Sequence, residues 1–169
     1  LRGPEVGQLV PGEQLEQMVA EALEGADVFL GLSAPRLVTQ AMVRTMAERP
    51  LIFALANPVP EIETEEVQAV RPDALIATGR SAEPNPVNYV LCFPFVFRGA
   101  RDVGATTINQ EMKIACAQAI AAVARTTAPE TVAAAYGLAS LSFGPDCFIP
   151  KAFDPRLAVE LPIAVARAA

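Results

Sequence analysis

The sequence predicts an α/β fold: a partial doubly wound parallel sheet of about three strands, followed by helices. Three observations predict it. Between residues 26 and 78, short apolar runs alternate with segments of helical period as strand, helix, strand, helix, strand, joined by short links. Each apolar run breaks into small or polar residues, at Ser33-Ala34-Pro35, at Asn57-Pro58 and at Thr78-Gly79-Arg80-Ser81. Beyond Val87 the apolar residues return at intervals of three and four, the helical spacing.

Leu1 to Gly12, with a Gly-Pro and a Pro-Gly pair, reads as loop. From Glu13 to Glu24 the positions Leu15, Met18, Val19, Ala22 and Leu23 line one helical face, and Gly25 suits the residue after a helix end. Ala26 to Leu32 reads as a strand whose contiguous Val28, Phe29 and Leu30 suggest burial on both faces. A helix is expected from about Arg36 to Ala47, with Leu37, Val38, Ala41, Met42, Thr45 and Met46 on one side, and a strand from Leu51 to Ala56. Pro58 and Pro60 stop that strand, because proline donates no ladder hydrogen bond.

Thr64, followed by Glu65 and Glu66, is expected to cap a short helix that Pro72 ends. Ala74 to Thr78 is the third strand, and Gly79 to Pro86 a loop. Thr107-Ile108-Asn109-Gln110 has the form of a capping box ahead of a long Ala-rich helix carrying Ile108, Met112, Ala115, Ala119 and Ala122. Thr131 to Ala139 suggests a further short helix, residues 142–146 and 149–155 turns, and Arg156 to Ala169 a weakly helical segment around Pro162. The whole is expected to be one domain, helical in its C-terminal part from about residue 105.

Composition narrows the function. The 169 residues include 52% hydrophobic and 6% aromatic side chains, enough for a core of small aliphatics. A net charge of −6, with scattered arginines and Lys113 and Lys151 as the lysines, argues against nucleic acid, which needs a clustered positive surface. The longest apolar run, Ile114 to Ala124, is broken by Gln118 and falls short of the roughly 18 to 20 residues that span a bilayer. Cys92, Cys116 and Cys147 lie in apolar surroundings without C-x-x-C spacing, which fits reduced, buried thiols in a cytoplasmic protein better than a disulfide framework or zinc site. No charged segment precedes an apolar one at the start, so no signal peptide is expected.

In an open parallel sheet the carboxyl ends of the strands share an edge, and ligands bind in the crevice outside it. Ser33, Ala34, Pro35, Asn57 and Gly79 stand at such ends, where small residues let a flat cofactor approach the backbone. The alternative is that Ser33 and Asn57 only start turns. No Gly-x-Gly-x-x-Gly occurs ahead of these strands, so the chain is expected to be the second half of a dinucleotide-binding domain. Arg80 and Arg98 read as solvated or paired with neighbours such as Glu83. Asp102 and Glu111 lack a second carboxylate at ligand spacing, so no metal is assigned. Cys147 has no histidine to activate it, the chain having none, and Lys113 reads as a surface side chain of its helix.

Several stretches in fixed order resemble the bacterial malic enzymes: Ala26 to Pro35 (ADVFLGLSAP), Phe53 to Glu61 (FALANPVPE), Ala77 to Ser81 (ATGRS), Asn88 to Gly99 (NYVLCFPFVFRG) and Ala105 to Asn109 (ATTIN). The resemblance runs from about Gly25 to Arg125 and resumes at Phe143 to Asp146 and Ile149 to Pro155. It implies oxidation of malate by NAD or NADP in a Rossmann-like domain, then decarboxylation to pyruvate and CO2 assisted by Mg²⁺ or Mn²⁺. It places Asn57 at the nicotinamide and substrate end of the cleft, where a neutral amide can donate to a carboxylate and accept from a hydroxyl.

The family's second motif is an Asn-Asn pair before Phe-Pro, and here the pair reads Asn88-Tyr89. Asn88 and Tyr89 are therefore expected at the substrate. Tyr89 offers a hydroxyl in place of an amide, or else fills space beside Val90 and Leu91. The family's general-base Lys, acid Tyr and metal ligands come from residues ahead of the matched region, so no catalytic residue is assigned and the isolated chain is expected to be inert. Expected partners are malate or pyruvate, the rest of the enzyme and further copies of it, in the cytoplasm. The rival reading is a non-catalytic module that keeps the fold for assembly or regulation.

Overall fold

The computed structural model describes residues 12–81 and 83–169. The loop expected over Leu1 to Gly12 lies, apart from Gly12, outside the described residues. The chain divides into two compact units that part between Ile76 and Ala77. Along it run α1 (Gly12–Leu23), β1 (Val28–Gly31), α2 (Gln40–Arg44), β2 (Leu51–Ala54), α3 (Thr64–Val70), β3 (Leu75–Thr78), a 3-10 turn (Tyr89–Leu91), α4 (Phe93–Asp102), α5 (Gln110–Arg125), α6 (Glu130–Ala135) and α7 (Leu157–Arg167). The strands form one parallel sheet in the order β1-β2-β3, as the sequence predicted.

In the first unit, α1 ends where Gly25 takes φ +68°, a left-handed conformation that costs glycine little. The core gathers Leu23, Met42, Val43, Ile52, Ala54, Ile62 and Val67 beneath one face of the sheet. Fully burying a side chain such as Ile52 stabilises the unit by about 1.5–3 kcal/mol. The opposite face corrects the expectation for β1. Val28, Leu30 and Leu32 are 54%, 61% and 75% exposed, because alternate side chains leave the sheet on opposite sides and the described helices cover only one of them.

The helix expected from Arg36 is also shorter. Arg36 has φ +57° and donates its N–H to the Pro60 carbonyl at 3.0 Å, while Val38 donates to the Glu61 carbonyl at 3.0 Å. Helical hydrogen bonding begins only after Thr39, whose hydroxyl accepts from Met42 N at 3.4 Å. So short a helix needs help at its carboxyl end, and Arg71 gives it. The guanidinium donates to the carbonyls of Val43, Met46 and Ala47 and pairs with Asp73 at 2.9 Å, which holds the Asp73 carboxyl well below the usual range. The cap of α3 is Glu63 rather than Thr64; Thr64 is the first helical residue, and its backbone is already committed to the helix.

In the second unit, α7 packs on α4 and α5 around Leu91, Met112, Cys116, Leu157, Leu161 and Val165. Asn109, not Thr107, caps α5, its Oδ1 accepting from Met112 N at 2.8 Å. The C-terminal segment is a continuous helix despite Pro162, because Leu161 and Val165 are fully buried and their packing outweighs the missing hydrogen bond. Gly99 lets α4 approach that helix closely: a Cβ there would lie 2.5 Å from the Pro162 carbonyl oxygen.

Cys116 sits in this packing, and burial pushes its thiol up to about 11 from an ordinary 9.0, with Cys92 adding a smaller effect. Because the folded value is the higher one, the associated stability is complete below about pH 9 and is lost as pH rises through about 11. Native protein at pH 8 is therefore expected to leave Cys116 unalkylated by iodoacetamide while denatured protein is labelled there. Urea melts at pH 8 and pH 10.5 should show the loss, and labelling of native Cys116 at pH 8 would contradict the packing described.

Candidate functional site

Register sets the geometry of the first unit's edge at the carboxyl ends of its strands. Val28 pairs with Leu51 and Gly31 with Ala54, so the loops after β1 and β2 leave the sheet at the same level and on the same edge. Ser33, Ala34 and Pro35 are exposed in the first loop, and Asn57 is exposed in the second. The Asn57–Pro58 peptide is cis. The Asn57 side chain makes one described bond, from Nδ2 to the Leu55 carbonyl at a long 3.3 Å, and is otherwise open.

Beneath these loops lies a carboxylate. Glu61 is fully buried; its Oε1 accepts from Ser33 N at 2.8 Å and Ser33 Oγ at 3.2 Å, and its Oε2 accepts from Ala56 N at 3.0 Å. A buried charge is tolerated only when donors replace its water, and here three do. Both donors of Ser33 are thereby turned inward, so this residue offers a ligand its oxygens rather than its N–H. Gly31 makes room: a Cβ there would lie 2.5 Å from Glu61 Cδ.

In the second unit Gly79 follows β3, partly buried, and Arg80 N donates to Thr78 Oγ1 at 3.2 Å. Asn88 caps the 3-10 turn, its Oδ1 accepting from Val90 N at 3.0 Å. Tyr89 is 79% exposed, and its ring meets the edge of Phe93 at 6.5 Å instead of filling a core beside Leu91. Arg98 pairs with Asp102 at 2.7 Å one helical turn away, a surface pair of the ordinary kind.

Three residues that organise these loops have no role assigned to them from the sequence. Glu61 had one available signal, since a glycine at a strand end often marks the close approach of another group, and Gly31 receives this carboxylate. Asn85 is buried and clips the loop after β3, donating to the Pro145 carbonyl at 2.7 Å and accepting from Phe148 N at 2.9 Å. Lys151 is buried too, its Nζ donating to the Pro84 carbonyl and lying 5.3 Å from the Tyr136 ring centre. Lys151 borders a cavity of about 680 Å³ that Ser81, Ser142, Asp146 and Cys147 also line.

Among the described residues no group of three or more His, Cys, Asp or Glu side chains is placed to hold a metal ion. No described helix is long and apolar enough to cross a membrane.

A parallel sheet with exposed small and polar residues at the carboxyl ends of adjacent strands defines an α/β domain of the nucleotide-binding class. A family model described as "Malic enzyme, NAD binding domain" matches residues 4–138, and the chain belongs to that family. It is 60% identical over 149 residues to the NADP-dependent malic enzyme of Escherichia coli, covering 88% of this chain and 20% of that enzyme. Against the NAD-dependent malic enzyme of Rhizobium meliloti the identity is 53% over 157 residues, 93% of this chain and again 20% of the relative. The solved NAD-dependent malic enzyme of Thermotoga maritima superposes with a TM-score of 0.74 at 34% identity, covering 89% of this chain and 35% of that one. The chain thus spans about one fifth of the length of these curated relatives. The resemblance read from the sequence, and the fold it implied, are borne out.

Proposed function

We propose that the chain forms part of a malic enzyme and supplies one portion of the cofactor and substrate cleft for oxidative decarboxylation of malate to pyruvate and CO2. The observation that carries the proposal is the exposed Asn57 at the carboxyl end of β2, inside a sequence matched to the family over residues 4–138. Its side chain has only one long bond to give up, so it is free to meet a ligand. The nicotinamide cofactor, NAD or NADP, would supply the hydride acceptor. Ser33 to Pro35 and Asn57 in the first unit, and separately Gly79 in the second, are the residues read as its contacts, through shape and backbone groups.

Asn57 would serve the substrate as well as the cofactor. Asn88 uses its oxygen to cap a turn, which leaves Nδ2 as the group it offers a carboxylate. The Tyr89 hydroxyl stands in solvent reach, as a donor to substrate requires. The divalent ion of the parent reaction finds no ligand cluster among the described residues, and no step is assigned to it in this chain. Cytoplasmic location and assembly with further copies complete the proposal.

The test has two arms. Full-length protein containing this chain should reduce NAD or NADP in a malate-dependent way, with Mg²⁺ or Mn²⁺, and release pyruvate in equal amount; failure with both cofactors would overturn the proposal and favour a non-catalytic module. Residues 1–169 alone should show no turnover, and calorimetry should find cofactor binding weaker than about 1 mM, about −4 kcal/mol, because the chain has no glycine-rich turn to hold a pyrophosphate. A micromolar constant for the isolated chain would mean that the anchoring residues have been misassigned.

A further inference from the structure

We infer that Glu61 is a positioning residue for the cofactor edge: its carboxylate sets the spacing of the loops after β1 and β2 and, through Ala56, the aim of Asn57. The inference rests on the proposed reading of Ser33 and Asn57 as cleft residues, and on three features of the first unit.

The carboxylate is fully buried and divides its two oxygens between the loops, Oε1 to Ser33 N and Oγ and Oε2 to Ala56 N. Bonds from neutral donors to a charged acceptor are the stronger kind, so both loops are held at a fixed distance from one atom group. The same segment grips the far end of the first loop by its backbone, since the Pro60 and Glu61 carbonyls accept from Arg36 N and Val38 N, each at 3.0 Å. Residues 33 to 38 are therefore pinned at both ends by residues 60 and 61.

Asn57 supplies the third feature. Its side chain is restrained only by the 3.3 Å bond to Leu55 O, so its direction follows the backbone at Ala56, whose N–H is the one Glu61 holds. A group 1 Å out of place can cost a reaction far more than the bond that moved it. Glu61 itself has no exposure to solvent, so its effect on a ligand would pass entirely through these loops.

Glutamine is the informative replacement because it preserves volume and shape but offers one acceptor oxygen instead of two. In Glu61→Gln one loop keeps its acceptor, while the other brings an N–H against the new side-chain NH2. The assay is malate-dependent NAD(P) reduction by the full-length enzyme containing this chain, run well below the melting temperatures of wild type and variant. We expect KM for the cofactor to rise about tenfold and kcat to fall by a similar factor, from misplacement alone.

A role confined to stability predicts a lower melting temperature with KM and kcat at wild-type values, and that result would overturn the inference. If Glu61→Gln does not fold, Glu61→Asp, which keeps both acceptors but is one methylene short of spanning the loops, is read in the same way. Failure of both variants to fold also counts against a positioning role. Wild-type protein inactive with malate removes the functional reading itself, whereas active wild type with an unaltered Glu61→Gln removes only the role of Glu61.

Discussion

Asn57→Ala in the full-length enzyme is expected to lower kcat/KM by about 10² or more, equivalent to about 2.7 kcal/mol of lost transition-state stabilisation, with little change in melting temperature. The side chain is exposed and its one bond, to Leu55 O, is long, so its removal leaves no buried group unpaired and opens no cavity. What it would remove is an amide placed at the carboxyl end of β2, on the edge shared with the loop after β1. If Asn57 only shapes its turn, the loss falls on stability, about 1 kcal/mol, with near-normal turnover. Kinetics and a thermal melt on one purified variant separate the two, and an unstable but fully active Asn57→Ala enzyme would end the catalytic reading.

The second large effect concerns the other unit. Leu161→Ala should destabilise the fold by about 2–5 kcal/mol, a large share of the total stability of a small domain. Leu161 is fully buried in α7 where that helix packs on α4 and α5. Relaxation into the cavity is restricted, because α4 already meets α7 backbone to glycine at Gly99 and cannot move closer there. That places the expected cost toward the upper part of the range. Ile163→Ala, two positions along and 44% exposed, serves as the control and should cost much less. A loss below about 1 kcal/mol for Leu161→Ala, read from urea unfolding, would mean that the helices of the second unit are loosely packed.

Much of the architecture was legible in the sequence because its signals are local. A strand that ends in Asn-Pro, a helix that ends before Gly25, and apolar residues every third or fourth position from Met112 to Val123 each state their structure within a few residues. Errors fell where a distant partner overrode the local preference. The segment from Arg36 to Val38 has helical periodicity, but the N–H groups of Arg36 and Val38 are taken by carbonyls 24 and 23 residues away, so α2 begins late. Pro162 argues locally against a helix and is overruled by the burial of its neighbours.

The candidate site was legible in part for the same reason. Ser33 to Pro35, Asn57 and Gly79 are candidates that strand ends suggest, and Asn88 and Tyr89 candidates that the resemblance suggests. Their supports were not legible. Glu61, Asn85 and Lys151 act by bonds to residues 5 to 67 positions away, and no pattern of spacing announces a buried polar group before its partners are known.

The uncovered face of β1 bears on how the polypeptide folds. Among the described residues β1 is the terminal strand of its sheet, paired only with β2, and it turns Val28 and Leu30 to water, with Leu32 exposed just beyond its end. The first unit already has a core of its own, so it can collapse by itself and then act as a template. Strands and helices made elsewhere in a longer polypeptide would be recruited beside β1, where unpaired backbone groups and an apolar strip wait together. Folding would then have a direction, outward from the β2 core.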